Sequence, residues 1–200
     1  MGKSTFGLRY LCNADLSVRF LFDPDPAEGG PPDLGEFAFR LGLPPARDLF
    51  ELSVATCQGW VCYDPHTHYA GRLEEAFTMF CRWAYEKSLS IPGKKILMVD
   101  EIWRYVSPQA IPQELSEIVQ SGRKRGLYLM ANIQEPNKLN GAIANGASEV
   151  VCFKLQGLRS LEFVEKTYGF DPEEVSSLQP LHFVARNLDS QGELRGRIKL

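Results

Sequence analysis

The chain has 200 residues, enough for one domain of ordinary size and hardly for two. Hydrophobic residues make up 44% of the chain and charged residues 24%, which excludes a disordered tail, a fibre and a disulfide-stapled miniprotein. The formal net charge of -3 excludes the overall basic balance of a simple nucleic-acid coat protein but allows a local basic patch.

The cysteines and the apolar runs indicate the compartment. The five cysteines are odd in number and form no C-x-x-C pair, which indicates reduced thiols in the cytosol. No apolar run is long enough to span a bilayer, and Met1 is followed by a polar stretch and not by a secretory leader. We therefore predict a cytoplasmic protein with no integral membrane segment.

Apolar runs of strand length alternate along the chain with segments of helical spacing. The predicted helices are Thr5–Asn13, a short one within Leu34–Leu41, Arg72–Leu89, one that follows Pro108 and ends near Gly122, and Leu158–Tyr168. The predicted strands are Val18–Asp23, Trp60–Asp64, Ile96–Asp100, Leu127–Asn132, Val150–Phe153 and a C-terminal hairpin of Leu181–Asn187 and Leu194–Leu200. A Pro- and Gly-rich stretch, Pro24–Pro32, predicts a loop.

This alternation predicts an α/β fold with a mostly parallel sheet that is covered by helices on both faces. In such sheets ligands bind outside the carboxyl ends of the strands. Three predicted strands end at an acid, namely Asp23, Asp64 and Asp100. We therefore expect the chemistry of the protein at that edge of the sheet.

The first residues match the second half of a phosphate-binding loop. Gly2, Lys3, Ser4 and Thr5 fit the end of G-x-x-x-x-G-K-[ST], and a helical pattern follows them. Glycine lets backbone N–H groups approach the phosphates, lysine reaches phosphate oxygens, and the next hydroxyl ligates Mg²⁺. We predict these residues as the nucleotide-binding segment of one P-loop domain over residues 1–200, truncated so that its first strand is missing.

A second motif, which is acidic, follows the first one at the distance of a long strand–helix–strand crossover. Four apolar residues lead into Asp100 and Glu101, the Walker B pattern. The aspartate is expected to hold Mg²⁺ and the glutamate to orient and deprotonate the attacking water.

A third group of polar residues flanks the strand Leu127–Asn132. We predict that Gln134, or less favourably Asn132, senses the γ-phosphate or holds the attacking water at the end of this strand. Arg123 and Arg125 precede the strand and therefore lie at the opposite edge of the sheet. An arginine there is well placed for a neighbouring subunit's site, so we predict an arginine finger that acts in trans. A solvated helix end is the alternative interpretation of these arginines.

The ordered motifs resemble the FtsK/HerA clade of P-loop ATPases. The matching segments are Gly2–Thr5, Ile96–Glu101, Gly122–Pro136 and Asn145–Val151. Within this clade, the short chain most resembles the genome-packaging ATPases of double-jelly-roll, membrane-containing viruses. This resemblance implies ATP and Mg²⁺ as cofactors and a hexameric ring that moves double-stranded DNA. It also implies a viral portal or capsid vertex protein as a partner, in the host cytoplasm or at the virion vertex.

The sequence departs from the clade pattern at two positions, and two alternative functions stay open. Asn132 replaces the expected threonine, and Glu135 stands where an arginine is common. One alternative is a conjugation or secretion ATPase of the same clade. The other is a truncated, non-catalytic homologue that only binds nucleotide or a partner subunit.

Overall fold

A computed structural model describes residues 2–22, 24 and 35–199 of the chain. The helices are α1 (Lys3–Asn13), α2 (Glu36–Leu41), α3 (Leu49–Cys57), α4 (His66–Tyr69), α5 (Leu73–Ser88), α6 (Gln113–Ser121), α7 (Gly141–Gly146), α8 (Leu158–Tyr168) and α9 (Pro172–Ser177). The strands are β1 (Val18–Phe22), β2 (Trp60–Tyr63), β3 (Lys95–Val99), β4 (Leu127–Ala131), β5 (Glu149–Cys152), β6 (His182–Asn187) and β7 (Glu193–Arg197). Asp23 and most of the predicted loop at 24–32 lie outside the described residues.

The first four strands form a parallel sheet in the order β2-β1-β3-β4. Phe22 is in register with Val99 of β3, and Val99 with Ala131 of β4. The carboxyl ends of β1, β3 and β4 therefore lie side by side, as predicted, and the residues that follow them meet at one edge.

Successive side chains of these strands point to opposite faces of the sheet, and each face is covered by helices. Phe20, Phe22 and Leu97 belong to a core that includes residues of α3, α5 and α6. Leu21 and Met98 belong to a second core, formed with α1 and α2. The predicted helices on both faces are thus confirmed.

A cluster of aromatic rings fills the core beneath the carboxyl edge. The ring centroid of Phe22 lies 5.2 Å from that of Phe77 and 5.1 Å from that of Tyr105. The ring of Phe80 stacks on Tyr63 at 5.0 Å. These contacts join β1, β2 and α5 to the segment that follows β3, so they fix the ends of the strands that carry the candidate site.

The predicted C-terminal hairpin is present, but β5 belongs with it and not with the parallel sheet. The strands β5, β6 and β7 form a separate antiparallel sheet. Residues of α8 and α9, among them Val164 and Val175, pack against its Cys152 and Val184. Within the described part of the chain, no strand lies between β4 and β5, so each of them is the edge of its own sheet.

Helix α1 bridges the two sheets. A Cβ atom on Gly7 would lie 3.5 Å from Cε of Met130, a β4 residue. The ring centroid of Phe6, the residue just before Gly7, lies 6.0 Å from that of Phe153 and 5.3 Å from that of Phe183 in β6. The first turn of α1 is therefore held between the two sheets.

The sequence did not predict α3, α4, α7 or α9. Helix α3 exposes Leu49, Phe50 and Val54, so its apolar residues do not follow a single buried stripe. Its start is marked instead by Asp48, whose carboxylate accepts hydrogen bonds from the backbone N–H groups of Phe50 and Glu51. The helices α4, α7 and α9 are too short to display a period.

No helix in the described ranges combines the length and the apolar character needed to cross a membrane.

The aromatic cluster should dominate the stability of the parallel sheet. We expect Phe22→Ala to lower the free energy of unfolding by about 3–5 kcal/mol, because Phe22 is fully buried and its loss leaves a cavity. Phe50→Ala is the matched control, and its cost should stay below about 0.5 kcal/mol because that ring is 76% exposed. Chemical denaturation of both variants measures the difference, and equal losses would contradict the packing described here.

Candidate nucleotide site

The candidate site begins at the first turn of α1. Gly2 is buried and precedes the helix, and its carbonyl accepts a hydrogen bond of 2.8 Å from the N–H of Phe6. The first turn carries no acidic residue. Its unpaired backbone N–H groups and the positive end of the helix dipole favour an anion such as a phosphate.

The space around Gly2 is limited by the ring of Phe153. A Cβ atom at position 2 would lie 2.8 Å from Cδ1 and from Cε1 of Phe153. A side chain at this position would therefore displace the ring. The motif did not predict this aromatic wall of Phe153 and Phe183, because the two residues come from the far end of the chain and carry no recognisable spacing.

Lys3 lies close enough to the two predicted acids to interact with them electrostatically. Burial lowers the pKa of the Lys3 ammonium below its ordinary value, while the charges of Asp100 and Glu101 act in the opposite direction. The structure thus brings together the lysine of the first motif and both acids of the second.

A hydrogen bond orients Asp100. The side-chain amide of Asn132, only 8% exposed, donates to Oδ1 of Asp100 at 2.8 Å. The backbone N–H of Asn132 donates to the carbonyl of Val99 at 3.0 Å. Asn132, the less favoured of the two predicted sensor residues, therefore contacts the candidate metal ligand directly.

Glu101 has an unusual backbone conformation. Its φ of 46° and ψ of 49° lie in the left-handed region, where a non-glycine residue carries about 1–3 kcal/mol of strain. The amide of Gln134 donates a hydrogen bond to Oε1 of Glu101. The tight turn directs the carboxylate of Glu101 toward Gln134, so the two predicted catalytic residues are in contact.

Ser4 and Thr5 occupy the first turn of α1 but face different surroundings. The Thr5 hydroxyl accepts a hydrogen bond of 3.4 Å from Arg40 of α2. Ser4 is partly exposed. The oxygen atoms of Ser4 and Asp100 are hard ligands of the kind Mg²⁺ prefers, and Mg²⁺ usually completes its shell with waters and substrate phosphates. The residues present therefore fit a nucleotide-bound Mg²⁺.

Arg123 and Arg125 lie at the amino end of β4, away from this site. Arg123 pairs with Asp189 at 3.4 Å, and the guanidinium of Arg125 lies 5.0 Å from the ring centroid of Tyr85. Both side chains are exposed. The structure thus does not bring either arginine to the site of its own chain.

The chain has the α/β fold of P-loop NTPases. It is similar to the genome packaging NTPase B204 from Sulfolobus turreted icosahedral virus 2 in complex with AMP, with a TM-score of 0.72 and 18% identity over 99% of this chain and 90% of that one. The same NTPase with AMPPCP gives a TM-score of 0.73 at 18% identity, over 98% of this chain and 90% of that one.

Two further structures match a smaller part of the chain. VirB4 of Thermoanaerobacter pseudethanolicus has a TM-score of 0.54 and 16% identity over 71% of this chain and 42% of that one. The bacterial conjugative coupling protein TrwBΔN70 has a TM-score of 0.55 and 12% identity over 72% and 41% of the respective chains. No family model matches the sequence, and no curated protein matches it either. The resemblance predicted from the motifs is therefore confirmed at the level of fold.

The electrostatic coupling of Lys3 can be measured directly. We expect Asp100→Asn to lower the pKa of the Lys3 ammonium further, because the substitution removes an attraction that favours the charged form. Glu135→Gln is the control, since Glu135 pairs with Lys138 and not with Lys3. NMR titration of the lysine ammonium groups reports the shift, and an unchanged or higher pKa in Asp100→Asn would contradict the arrangement.

The sign of the pH effect on stability follows from the same shift. Because its pKa is lowered, Lys3 binds a proton more weakly in the folded chain than in the unfolded chain. The free energy of unfolding therefore increases as the pH rises from the pKa of Lys3 in the folded chain to its pKa in the unfolded chain.

Proposed function

We propose that the protein is a Mg²⁺-dependent ATPase that translocates double-stranded DNA, with residues 1–200 acting as one P-loop ATPase domain. The single observation that carries this proposal is the convergence of Lys3, Asp100 and Glu101 at the carboxyl edge of the parallel sheet. A lysine at the start of a helix, beside two carboxylates, suits the binding and hydrolysis of a nucleoside triphosphate.

The proposed binding roles follow from chemistry and position. Lys3 and the N–H groups of the first turn of α1 would bind the β- and γ-phosphates, with Gly2 and Thr5 shaping that turn. Ser4 and Asp100 would hold Mg²⁺, which neutralises charge on the phosphate oxygens when bound. Asn132 would keep Asp100 in the orientation needed for this, through the bond it already donates.

Glu101 is proposed as the general base. Its carboxylate would accept a proton from the attacking water. Its electrostatic interaction with Lys3, the proposed phosphate-binding residue, supports this role. The amide of Gln134 now occupies one oxygen of that carboxylate. When a γ-phosphate is present, the same amide would donate to it and leave Glu101 free to act on water.

Charge neutralisation from outside the chain would complete the site. In the proposed ring, which the resemblance implies is a hexamer, Arg123 or Arg125 of one subunit would stabilise the transition state in the next. Both arginines are exposed and lie far from their own Asp100 along the strand direction, which supports this assignment.

The proposed DNA substrate is supported by fold similarity over nearly the whole chain to a genome packaging NTPase. DNA would be bound through its phosphates with little sequence preference, so a net charge of -3 requires the positive groups to be local. A viral portal or capsid vertex protein would then be the docking partner, at the virion vertex or in the host cytoplasm.

A second candidate function is a conjugation or secretion ATPase. It is favoured by the similarity to VirB4 and to a conjugative coupling protein, each over about 70% of this chain. An ATPase rate that does not respond to DNA would favour this candidate.

The assignment of Glu101 is tested by its amide variant. We expect Glu101→Gln to lower kcat for ATP by about 10²–10⁴-fold, since general base catalysis contributes about that factor. ATP affinity should change little, because Lys3 and the first turn of α1 remain. Glu135→Gln is the matched control and should keep full turnover, because Glu135 contacts Lys138 and not the site.

The DNA substrate is tested by the salt dependence of the ATPase rate. We expect double-stranded DNA to stimulate turnover, and the stimulation to weaken as salt rises because phosphate contacts release counterions. DNA stimulation that is insensitive to salt would contradict a phosphate-mediated contact.

The trans arginine is tested by mixing two inactive variants. An Arg123→Ala/Arg125→Ala chain has an intact site but donates no arginine, whereas Glu101→Gln has the arginines but a dead site. We expect the equimolar mixture to regain ATP hydrolysis, because some interfaces pair the intact site with the intact arginines. A mixture as inactive as its components would assign the arginines to another role.

A further inference from the structure

A buried lysine that the proposed mechanism does not use lies at the amino end of β3. Lys95 is only 2% exposed, and burial lowers the pKa of its ammonium. The ammonium donates hydrogen bonds of 2.7 Å to the carbonyls of Ile91 and Arg125. Within the described residues no carboxylate pairs with it. Burying a cation without a carboxylate beside it costs free energy. The two hydrogen bonds that the ammonium donates show which backbone segments it stabilises.

One of those contacts is to the basic turn, which we define as Gly122–Gly126. The backbone N–H of Lys95 donates to the carbonyl of Gly126 at 2.7 Å, so Lys95 holds this turn through its main chain and its side chain together. Gly126 has a φ of +71°, and a Cβ there would lie 2.5 Å from the carbonyl oxygen of Gly93. The backbone of the basic turn is thus packed directly against the start of β3.

The arginines of the basic turn combine a fixed backbone with exposed side chains. The carbonyl of Arg123 accepts a bond of 3.1 Å from the N–H of Gly126, and the carbonyl of Arg125 accepts the Lys95 bond. Their guanidinium groups, by contrast, make surface contacts, that of Arg123 with Asp189 and that of Arg125 with the ring of Tyr85. This arrangement suits side chains that must reach another molecule from a rigid base.

We propose that Lys95 is a positioning residue for hydrolysis in the neighbouring subunit: its buried ammonium fixes the backbone of the basic turn so that Arg123 and Arg125 enter that subunit's site. This inference rests on the proposed function, and specifically on an arginine supplied in trans. An apolar side chain of similar length would fill the same space without burying a charge. The use of an ammonium is explained by the carbonyl of Arg125 that it holds.

The first variant to test is Lys95→Met, which keeps the length of the side chain and removes its charge. We expect kcat for ATP to fall about 10²-fold, the loss typical of a small misplacement of a catalytic group, with KM nearly unchanged. Lys94→Met is the matched control, because the neighbouring lysine is exposed, and it should keep full turnover.

The decisive measurement is complementation between subunits. Lys95→Met keeps its own site intact, so mixing it with Glu101→Gln should restore hydrolysis at about a quarter of the interfaces, those where a Glu101→Gln subunit supplies the arginine. Mixing Lys95→Met with the Arg123→Ala/Arg125→Ala chain should restore nothing, because neither chain then supplies a positioned arginine. A lysine that merely stabilised its own subunit would not produce this pattern.

The outcomes separate the inference from the proposed function. If the double-arginine chain is rescued by Glu101→Gln and Lys95→Met is not, the positioning role is overturned while the trans arginine stands. If neither is rescued, the trans arginine fails and the inference fails with it. Should circular dichroism show that Lys95→Met is unfolded, Lys95→Gln, which keeps a hydrogen-bond donor, enters the same mixtures. Turnover of Lys95→Met equal to that of Lys94→Met would also overturn the role.

Discussion

Helix α1 packs Leu8 and Leu11 into the core of the parallel sheet, while Phe6 in its first turn contacts Phe153 and Phe183 beside the antiparallel sheet. Because both sheets hold the same helix, its amino end has little freedom to move. The close approach of Gly2 to Phe153 fixes the residue before the helix as well. The position of Lys3, and with it the candidate nucleotide site, depends on this packing.

The acids are held by a second, independent set of contacts. The aromatic cluster around Phe22 and Tyr105 fixes the segment after β3 from below. Above it, Asn132 and Gln134 hold Asp100 and Glu101 from the neighbouring strand. The site is thus built from groups that are already oriented before a ligand arrives, and such preorganisation is what electrostatic catalysis requires.

Most of the fold and part of the site could be predicted from the sequence. The continuous apolar runs identified β1 to β4, and the acid after β3 identified Asp100 and Glu101, since buried parallel strands and their polar ends leave a clear local pattern. The contact of Phe153 with Gly2 could not be predicted, because it joins distant parts of the chain. The assignment of β5 to a second sheet also depends on pairing, which the sequence of a single strand does not specify. Helix α3 escaped prediction because Phe50 and its neighbours are apolar but exposed.

The division into two sheets has a consequence for how the chain behaves in isolation. Within the described residues, β4 and β5 each have one side without a strand partner. Several apolar residues of β4, including Leu129 and Met130, are only partly buried. Unpaired backbone along an apolar edge can template the addition of a strand from another molecule. The same architecture that leaves α1 as the bridge between the sheets therefore leaves an edge at β4 to which another molecule could add a strand.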